Sequence, residues 1–492
     1  MYNTFCKALD RGNEVRVVFF DISKAFDKVW TKGLLFKLRC AGIDGTLLDW
    51  FKDYLTNRRQ RVVLPGASSN WAIINAGVPQ GSVLGPLLFL VFINDIVEEI
   101  GSDIKLFADD TSLLHIVDDP ESAANILQSD INKIISWSNK WLVTFNPAKT
   151  ESILISRKKT PVNHPPLLML NKQISEVPSH KHLGIFLSNA CTWHDHIDHI
   201  KRKAWDRINI MRKLKFVLDR KSLEIIYFSF IRPLLEYGDV IWDNCTNTQK
   251  KELDCIQNEA ARIVTGATKL ISIENLYNET KWETLESRRK KHRLILLYKI
   301  LNNITPSYLT SIVPPQINEL SRYNLRNADN IQSIAARSTL YSNSFLPSTI
   351  RDWNELPHAI KQSDSLQIFN NHLNRDKRRP SNYLYAGERR AQVYHARLRT
   401  KCSALNAHLF AKSIMTSPLC ECNKIENNHH YFLICPRYQR ARHEMLQELS
   451  LVCNTITVDI LLNGNPSLTL DTNNKLFSVV HKYILSTKRF AS

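Results

Sequence analysis

Nothing in this 492-residue chain is apolar for long enough to cross a bilayer. The longest uninterrupted run, Leu87 to Ile93, falls well short of the ~20 residues that a spanning helix needs. The opening Met1-Tyr2-Asn3-Thr4-Phe5-Cys6-Lys7 lacks the apolar stretch of a secretory signal. Cysteine is too sparse for a disulfide scaffold, at ten in the whole chain, and reads as reduced thiol. No internal repeat and no long low-complexity tract stands out, which sets aside solenoid and array architectures. Acid is in deficit: 47 Asp and Glu against 65 Lys and Arg leave a net charge of +18 and a pI near 9.4. That balance suits a polyanionic partner, with an ordinary solvated basic surface as the competing reading. The length allows roughly three domains.

Of the acids that are present, two adjacent ones are the most informative. Phe107-Ala108-Asp109-Asp110 sits between Lys105-Leu106 and Thr111-Ser112-Leu113-Leu114, a pattern of strand, tight turn, strand. A second apolar run, Val15-Arg16-Val17-Val18-Phe19-Phe20, ends in Asp21. Two strand-end carboxylate sites that converge would suit Mg²⁺, a hard cation that takes oxygen ligands and is often shared with substrate phosphates. Two such ions can clamp the attacking and leaving oxygens of a phosphoryl transfer. A hairpin turn alone also favours Asp for local reasons.

Further strings bear on the choice. Phe20-Asp21-Ile22-Ser23-Lys24-Ala25-Phe26-Asp27-Lys28-Val29 resembles motif A of reverse transcriptases. Gly77-Val78-Pro79-Gln80-Gly81-Ser82 with Gly85-Pro86 resembles motif B, and Phe107 to Asp110 motif C. Trp141 to Thr150 is similar to motif D and His182-Leu183-Gly184-Ile185 to motif E. Five motifs in this order, from Val15 to Leu187, resemble the polyproteins of LINE-type, non-LTR retrotransposons. Telomerases and group II intron maturases are weaker matches, since the wording of motifs A and B and a Cys-His tail are those of a LINE. The resemblance implies an RNA-directed DNA polymerase, a nucleotidyltransferase that extends a DNA primer on an RNA template with deoxynucleotides. It also implies two Mg²⁺ ions, no membrane, and an intracellular setting, nuclear and cytoplasmic. Oligomeric state is left open.

The expected fold is α+β: a polymerase palm, an antiparallel sheet with packed helices, then a helical thumb and a small C-terminal Cys/His module. The expected boundaries are 1–190 for the palm, 191–310 for thumb and connection, 311–380 for an irregular connecting region, 381–445 for the basic Cys/His module and 446–492 for a tail. Lys24 to Leu38 reads as helix-compatible. Leu87 to Ile93 reads as a buried helix. Asp119-Pro120 reads as a helix start, with Leu127, Ile131, Ile134, Ile135 and Trp141 at helical spacing. From Trp193, bases including Lys201, Arg202, Lys203, Arg207, Arg212, Lys213 and Lys215 interleave with Ile200, Ala204, Ile208, Met211 and Leu214. This is either a nucleic-acid-facing thumb helix or an amphipathic helix with a solvated face. Trp353 reads as core, and Arg375 to Arg379 as a basic linker.

On the resemblance, Asp21 and Asp109 bridge the metals, Asp110 plays a lesser part, and Lys149 is the candidate acid for the pyrophosphate leaving group. Phe26 is the expected steric gate against a 2′-hydroxyl, and Gln80 and Gly81 contact nucleotide or template. Asp27 reads as a surface or capping acid. Arg58, Arg59 and Arg61 could touch template phosphates or sit in a solvated loop. The spacing Cys420-x-Cys422-x7-His430-x4-Cys435 offers three thiolates and one imidazole, a set suited to tetrahedral Zn²⁺. His429 is the alternative ligand, and two buried Cys with a surface His the alternative reading. The run resembles the cysteine-histidine motif of LINE polyproteins, which often has Gly after the second Cys; here it is Asn423. Only twenty residues precede Asp21, whereas the family's fingers and endonuclease lie upstream. The expectation is a truncated copy that binds primer–template yet extends it poorly, with a non-catalytic nucleic-acid-binding remnant as the alternative.

Overall fold

Glu14–Phe20, here β1, carries Val15, Val17, Val18, Phe19 and Phe20, and all seven of its residues are buried. A strand covered on both faces has to be central, and β1 is. In the computed structural model, which describes residues 1–160, 162–320, 329–374 and 380–490, it pairs antiparallel with two neighbours. These are β3 (Asp110–Val117) and β4 (Glu151–Ile155). β2 (Asp103–Phe107) extends the sheet antiparallel beyond β3, and β5 (Ser175–Glu176) runs parallel at the opposite edge, beside β4. The register sets Phe20 against Thr111 and Phe107 against Asp110. The chain forms two compact units, the first of residues 1–196 with 335–344, the second of 197–334 with 345–492.

In the first unit, helices α1 (Thr31–Cys40), α2 (Leu84–Ile93) and α3 (Pro120–Trp141) share one core with the sheet. Leu34, Leu38, Phe89, Phe92, Leu127, Ile131 and Ile134 are buried in it. Each such side chain contributes about 1.5–3 kcal/mol by leaving water. α3 begins as expected, with the Asp119 carboxylate accepting from Ser122 N at 2.8 Å. Two expectations need correction. Residues 24–30 are not helical: Lys24 is left-handed (φ 53°) and the helix starts at Thr31. And α2 is buried on one side only, since Leu87 and Leu90 are 55% and 47% exposed.

The second unit is helical. α4 (His194–Leu214), which starts in the first unit, buries Ile200, Ala204, Ile208 and Met211 of the stripe expected from spacing and Ile197 besides, while Leu214 is half-buried. α5 (Asn247–Thr265) is closed at its start by a Thr246–Gln249 capping box. The region expected to be irregular is partly ordered against α6 (Leu285–Leu301). Helices Phe345–Asn354 and Leu366–Leu373 pack Ile350, Trp353 and Phe369 onto Leu294, Leu297 and Tyr298. Trp353 is core, as read; Arg375 to Arg379 lie outside the described residues. The expected tail instead carries α8 (Leu470–Ser486), which buries Leu476, Phe477, Val480, Tyr483 and Ile484 in one core with Cys420, Tyr431, Phe432 and Cys435. Ahead of it comes α7 (Arg389–Arg399), which is bonded to α5: Arg389 donates to Val264 O at 2.6 Å and Arg397 to Gly266 O at 2.8 Å. Buried Glu279 bonds both Arg220 (2.6 Å) and Arg399 (2.8 Å). Packing therefore does not stop at the expected 380/381 boundary. No helix among the described residues is long and apolar enough to cross a membrane.

Candidate active site and Cys/His cluster

Because Phe107 pairs with Asp110, the hairpin between β2 and β3 has a two-residue turn, Ala108-Asp109. Such turns require left-handed backbone, and Ala108 supplies it at φ 54°. An alanine there is strained by roughly 1–2 kcal/mol, so the turn is held by its strands. Asp21 follows Phe20 directly, and Phe20 is opposite Thr111, so Asp21 stands beside Asp110 at the same sheet end. The carboxyls sense one another. Burial first, then the charge of Asp109, and further that of Asp21, push the Asp110 carboxyl above its ordinary value, while His180 opposes the shift. With Asp110 held above its ordinary value by the charges beside it, the three acids at this strand end form a site that a divalent cation would relieve. Among the described residues, the ligand-type side chains gathered within 4.8 Å of one another are Cys420, Cys422, His430 and Cys435; the acids are spread wider.

Motif D braces motif A through the backbone: Asn146 N donates to Asp21 O at 2.9 Å and Ser23 N to Thr144 O at 2.8 Å. Lys149 is exposed. Phe26 is half-buried and stacked on Phe89 of α2, with ring centroids 4.6 Å apart. Motif B approaches motif A closely. Gly77 N bonds Val29 O at 2.7 Å and Val78 N bonds Phe26 O at 2.9 Å. A Cβ on Gly77 would stand 2.6 Å from Asp27 O, and its φ is +88°, so only glycine fits. Gly81, also left-handed at φ +82°, faces open space.

Several sequence-predicted contacts are otherwise engaged. Gln80 does not project free: its Nε2 donates to Asp27 Oδ1 at 2.8 Å. Arg58 is not available to phosphate, because its guanidinium is spent on the carbonyls of Leu55 (3.2 Å), Ala76 (3.1 Å) and Gly77. Arg59 and Arg61 are exposed, Arg61 lying over the Trp71 ring at 4.7 Å. Lys201 is held by Asp198 (3.1 Å) and Glu252 (2.9 Å), while Arg202 and Lys203 are exposed with no ion pair among the described residues. One residue near the acids was missed. His180, in the hairpin of Ser179–His182 with Ile185–Ser188, stacks on Phe19 at 4.0 Å and bonds Glu151 at 2.7 Å. Its only sequence signal was proximity to His182.

In the second unit, Cys420 and Cys435 are buried with sulfurs 3.8 Å apart, and Cys422 Sγ lies 3.2 Å from His430 Nε2. A tetrahedron with Zn–S of ~2.3 Å has an edge of ~3.8 Å, so the thiols already span one. His430, not His429, joins the group. Asn423 takes the left-handed turn, φ 62°, that a Gly would otherwise supply. Burial first, then neighbouring Cys420 and Cys422, push the Cys435 thiol up to about 11.

An antiparallel sheet presenting paired carboxylates at a hairpin tip beside a strand-end acid is the build of a template-directed polymerase palm. Residues 4–187 match the family described as reverse transcriptase (RNA-dependent DNA polymerase). The chain is 30% identical over 305 residues to the probable RNA-directed DNA polymerase from transposon BS of Drosophila melanogaster, covering 58% of this chain and 33% of that protein. It is 27% identical over 277 residues to the RNA-directed DNA polymerase from mobile element jockey of Drosophila funebris, covering 54% and 30%. Against the Pol polyprotein of the type-1 retrotransposable element R2 of Popillia japonica the identity is 28%, covering 37% and 32%. The chain thus spans about a third of the length of these relatives. A telomerase from Candida albicans in complex with a fragment of telomeric RNA aligns at TM-score 0.31 and 12% identity, over 55% of this chain and 52% of that one.

Proposed function

We propose that this chain carries the nucleotidyl-transfer centre of a non-LTR retrotransposon reverse transcriptase, which extends a DNA primer on an RNA template. The observation that carries the reading is the register of Phe20 against Thr111, which brings Asp21 to the acids of the hairpin tip. Held by Asp21, Asp109 and Asp110, two Mg²⁺ ions would supply the clamp on attacking and leaving oxygens. The protein's own task is to position and to neutralise charge. Gly77 lets motif B approach motif A, Asp27 holds Gln80, and Phe89 fixes the plane of Phe26, whose free edge would face the sugar. Lys149, exposed and with no ion pair among the described residues, is available to protonate pyrophosphate. Of the predicted nucleic-acid contacts, Arg59, Arg61, Arg202 and Lys203 are exposed with no ion pair among the described residues and would meet phosphates. In the second unit, Cys420, Cys422, His430 and Cys435 would hold one structural Zn²⁺.

The test is extension of a DNA primer annealed to RNA, with Mg²⁺ and deoxynucleotides. Extension by the full chain, reduced at least about 10³-fold in Asp109→Ala, is the expected result; loss of one preorganised electrostatic group already costs ~10²–10³. Salt-sensitive binding without any Asp109-dependent extension would favour the second reading, a binding remnant that keeps the basic thumb helix.

A further inference from the structure

Away from the bases assigned above, the second unit contains a cleft of about 620 Å³ between the ends of α4 and α5 and the outer side of α7. Lys215, Arg262, Lys269, Arg389, Arg390 and Arg397 line it, against a single acid, Glu259. That acid is spent: its carboxylate bonds Arg212 at 2.7 Å and lies 3.8 Å from Arg262. Arg389 and Arg397 are committed to backbone. Arg389 donates to the carbonyls of Ile263 (2.5 Å), Val264 (2.6 Å) and Lys215 (3.3 Å), and Arg397 to Gly266. They fasten the negative ends of the helices and leave Lys215, Lys269 and Arg390 to face the opening. Asp219, near Arg389, caps the following helix by accepting from Ser222 N at 2.8 Å.

Two rings stand among these bases. Phe216 is 78% exposed, with the Lys215 ammonium 4.7 Å from its centroid. Tyr394 receives a bond from Arg390 Nε at 3.1 Å. The exposed Phe216 ring costs free energy unless something covers it, whereas Tyr394 is half-buried, its ring centroid 5.6 Å from that of Phe490, and lines the cleft with what remains open. We propose that this cleft binds a stretch of single-stranded RNA, its phosphates on Lys215, Lys269 and Arg390 and unpaired bases on Phe216 and Tyr394. The volume is that of a small-ligand pocket, enough for a nucleotide or two and too small for a duplex. Aromatic rings interleaved with cations that have no acidic partner among the described residues are the features that hold single strands without reading sequence. An acidic protein segment would use the cations and leave the rings idle. The site is separate from the thumb bases, because Lys215, one residue past the end of α4, is twelve residues beyond Lys203, ~18 Å along the helix axis.

Photocrosslinking of the full chain with a single-stranded oligouridylate of about 15 nucleotides containing 4-thiouridine tests this directly. Adducts are expected on the peptides carrying Phe216 or Tyr394. The pair Lys269→Glu with Arg390→Glu should reduce them about tenfold or more at physiological salt, with unchanged melting, since two phosphate contacts are reversed. Lys412→Glu with Lys475→Glu, an equal change of charge at exposed positions elsewhere in the unit, should leave them within about twofold. Phe216→Ala should lower them about fivefold or more. Equal loss with both pairs, or no adduct on either peptide, overturns the proposal. Displacement of the RNA by polyglutamate at matched charge overturns it in favour of an acidic protein partner. The assay needs neither Mg²⁺ nor deoxynucleotides and reports palm peptides separately, so its failure leaves the polymerase reading standing.

Discussion

Three arginines within four residues, Arg58, Arg59 and Arg61, look alike in the sequence and do different things. Arg58 ties Leu55 to Ala76 and Gly77, the entry to motif B, while Arg59 and Arg61 face water. Arg58→Ala would strand those partly buried carbonyls at a cost of about 1–3 kcal/mol. Thermal unfolding should therefore fall by several degrees, with the salt dependence of RNA binding unchanged. Arg59→Ala should do the reverse, leaving the melt intact and reducing the salt slope by about one unit or less; a salt titration beside the melt separates the two. The acids Asp21, Asp109 and Asp110 could be singled out because each sits in one of five ordered motifs, which outweighs the local preference of turns for Asp. The roles of Arg58, Gln80 and Lys201 were not, because a guanidinium, amide or ammonium reads the same whether its partner is a phosphate, a carbonyl or a carboxylate. Only the fold chooses the partner.

Elements whose signals are local could be read from the chain. The helix at Pro120 carried its own cap and spacing, and the hairpin tip its turn. Residues 24–30 could not, since what keeps them out of helix is the approach of Gly77 and Val78 from fifty residues away. α8 was missed although Leu476, Phe477, Val480, Tyr483 and Ile484 follow helical spacing; its amphipathic face has meaning only with the Cys/His segment that covers it. That shared core would couple a bound metal to the helix. The chain should purify with one zinc per molecule, and chelation should lower the melting of the second unit and speed hydrogen exchange in Leu470–Ser486. Cys435→Ser should reproduce this, while Cys255→Ser, at an exposed thiol outside the cluster, should not. Exchange in Leu470–Ser486 unchanged by chelation would argue for plain buried thiols.

At the scale of the whole molecule, the second unit holds together through Glu279 as well as through apolar packing. Burial works against this carboxylate, but Arg399 and Arg220 outweigh it and lower its pKa from 4.5 to about 2. Its contribution is therefore complete above about pH 4.5 and is lost as pH falls towards 2. Glu279→Gln should destabilise the unit by about 3–5 kcal/mol at neutral pH, because it leaves two buried guanidinium groups uncompensated. It should also flatten the loss of stability on acidification, as read by denaturant unfolding at a series of pH values. The first unit depends on distance of another kind. Its opening helix, Tyr2–Asp10, ends on a carboxylate that accepts from Arg337 N (3.0 Å) and Ser338 N (2.6 Å), residues of the returning segment 335–344. A chain ending at His196 should therefore show faster exchange in Tyr2–Asp10 than the full chain. Seen from the ribosome, that helix emerges well before the segment that completes it. Its partners arrive some 150 residues after the rest of the unit, roughly 7–30 s later at ordinary rates of synthesis. Throughout that interval the palm exists with one side unfinished, open to chaperones and proteases that the mature protein never meets.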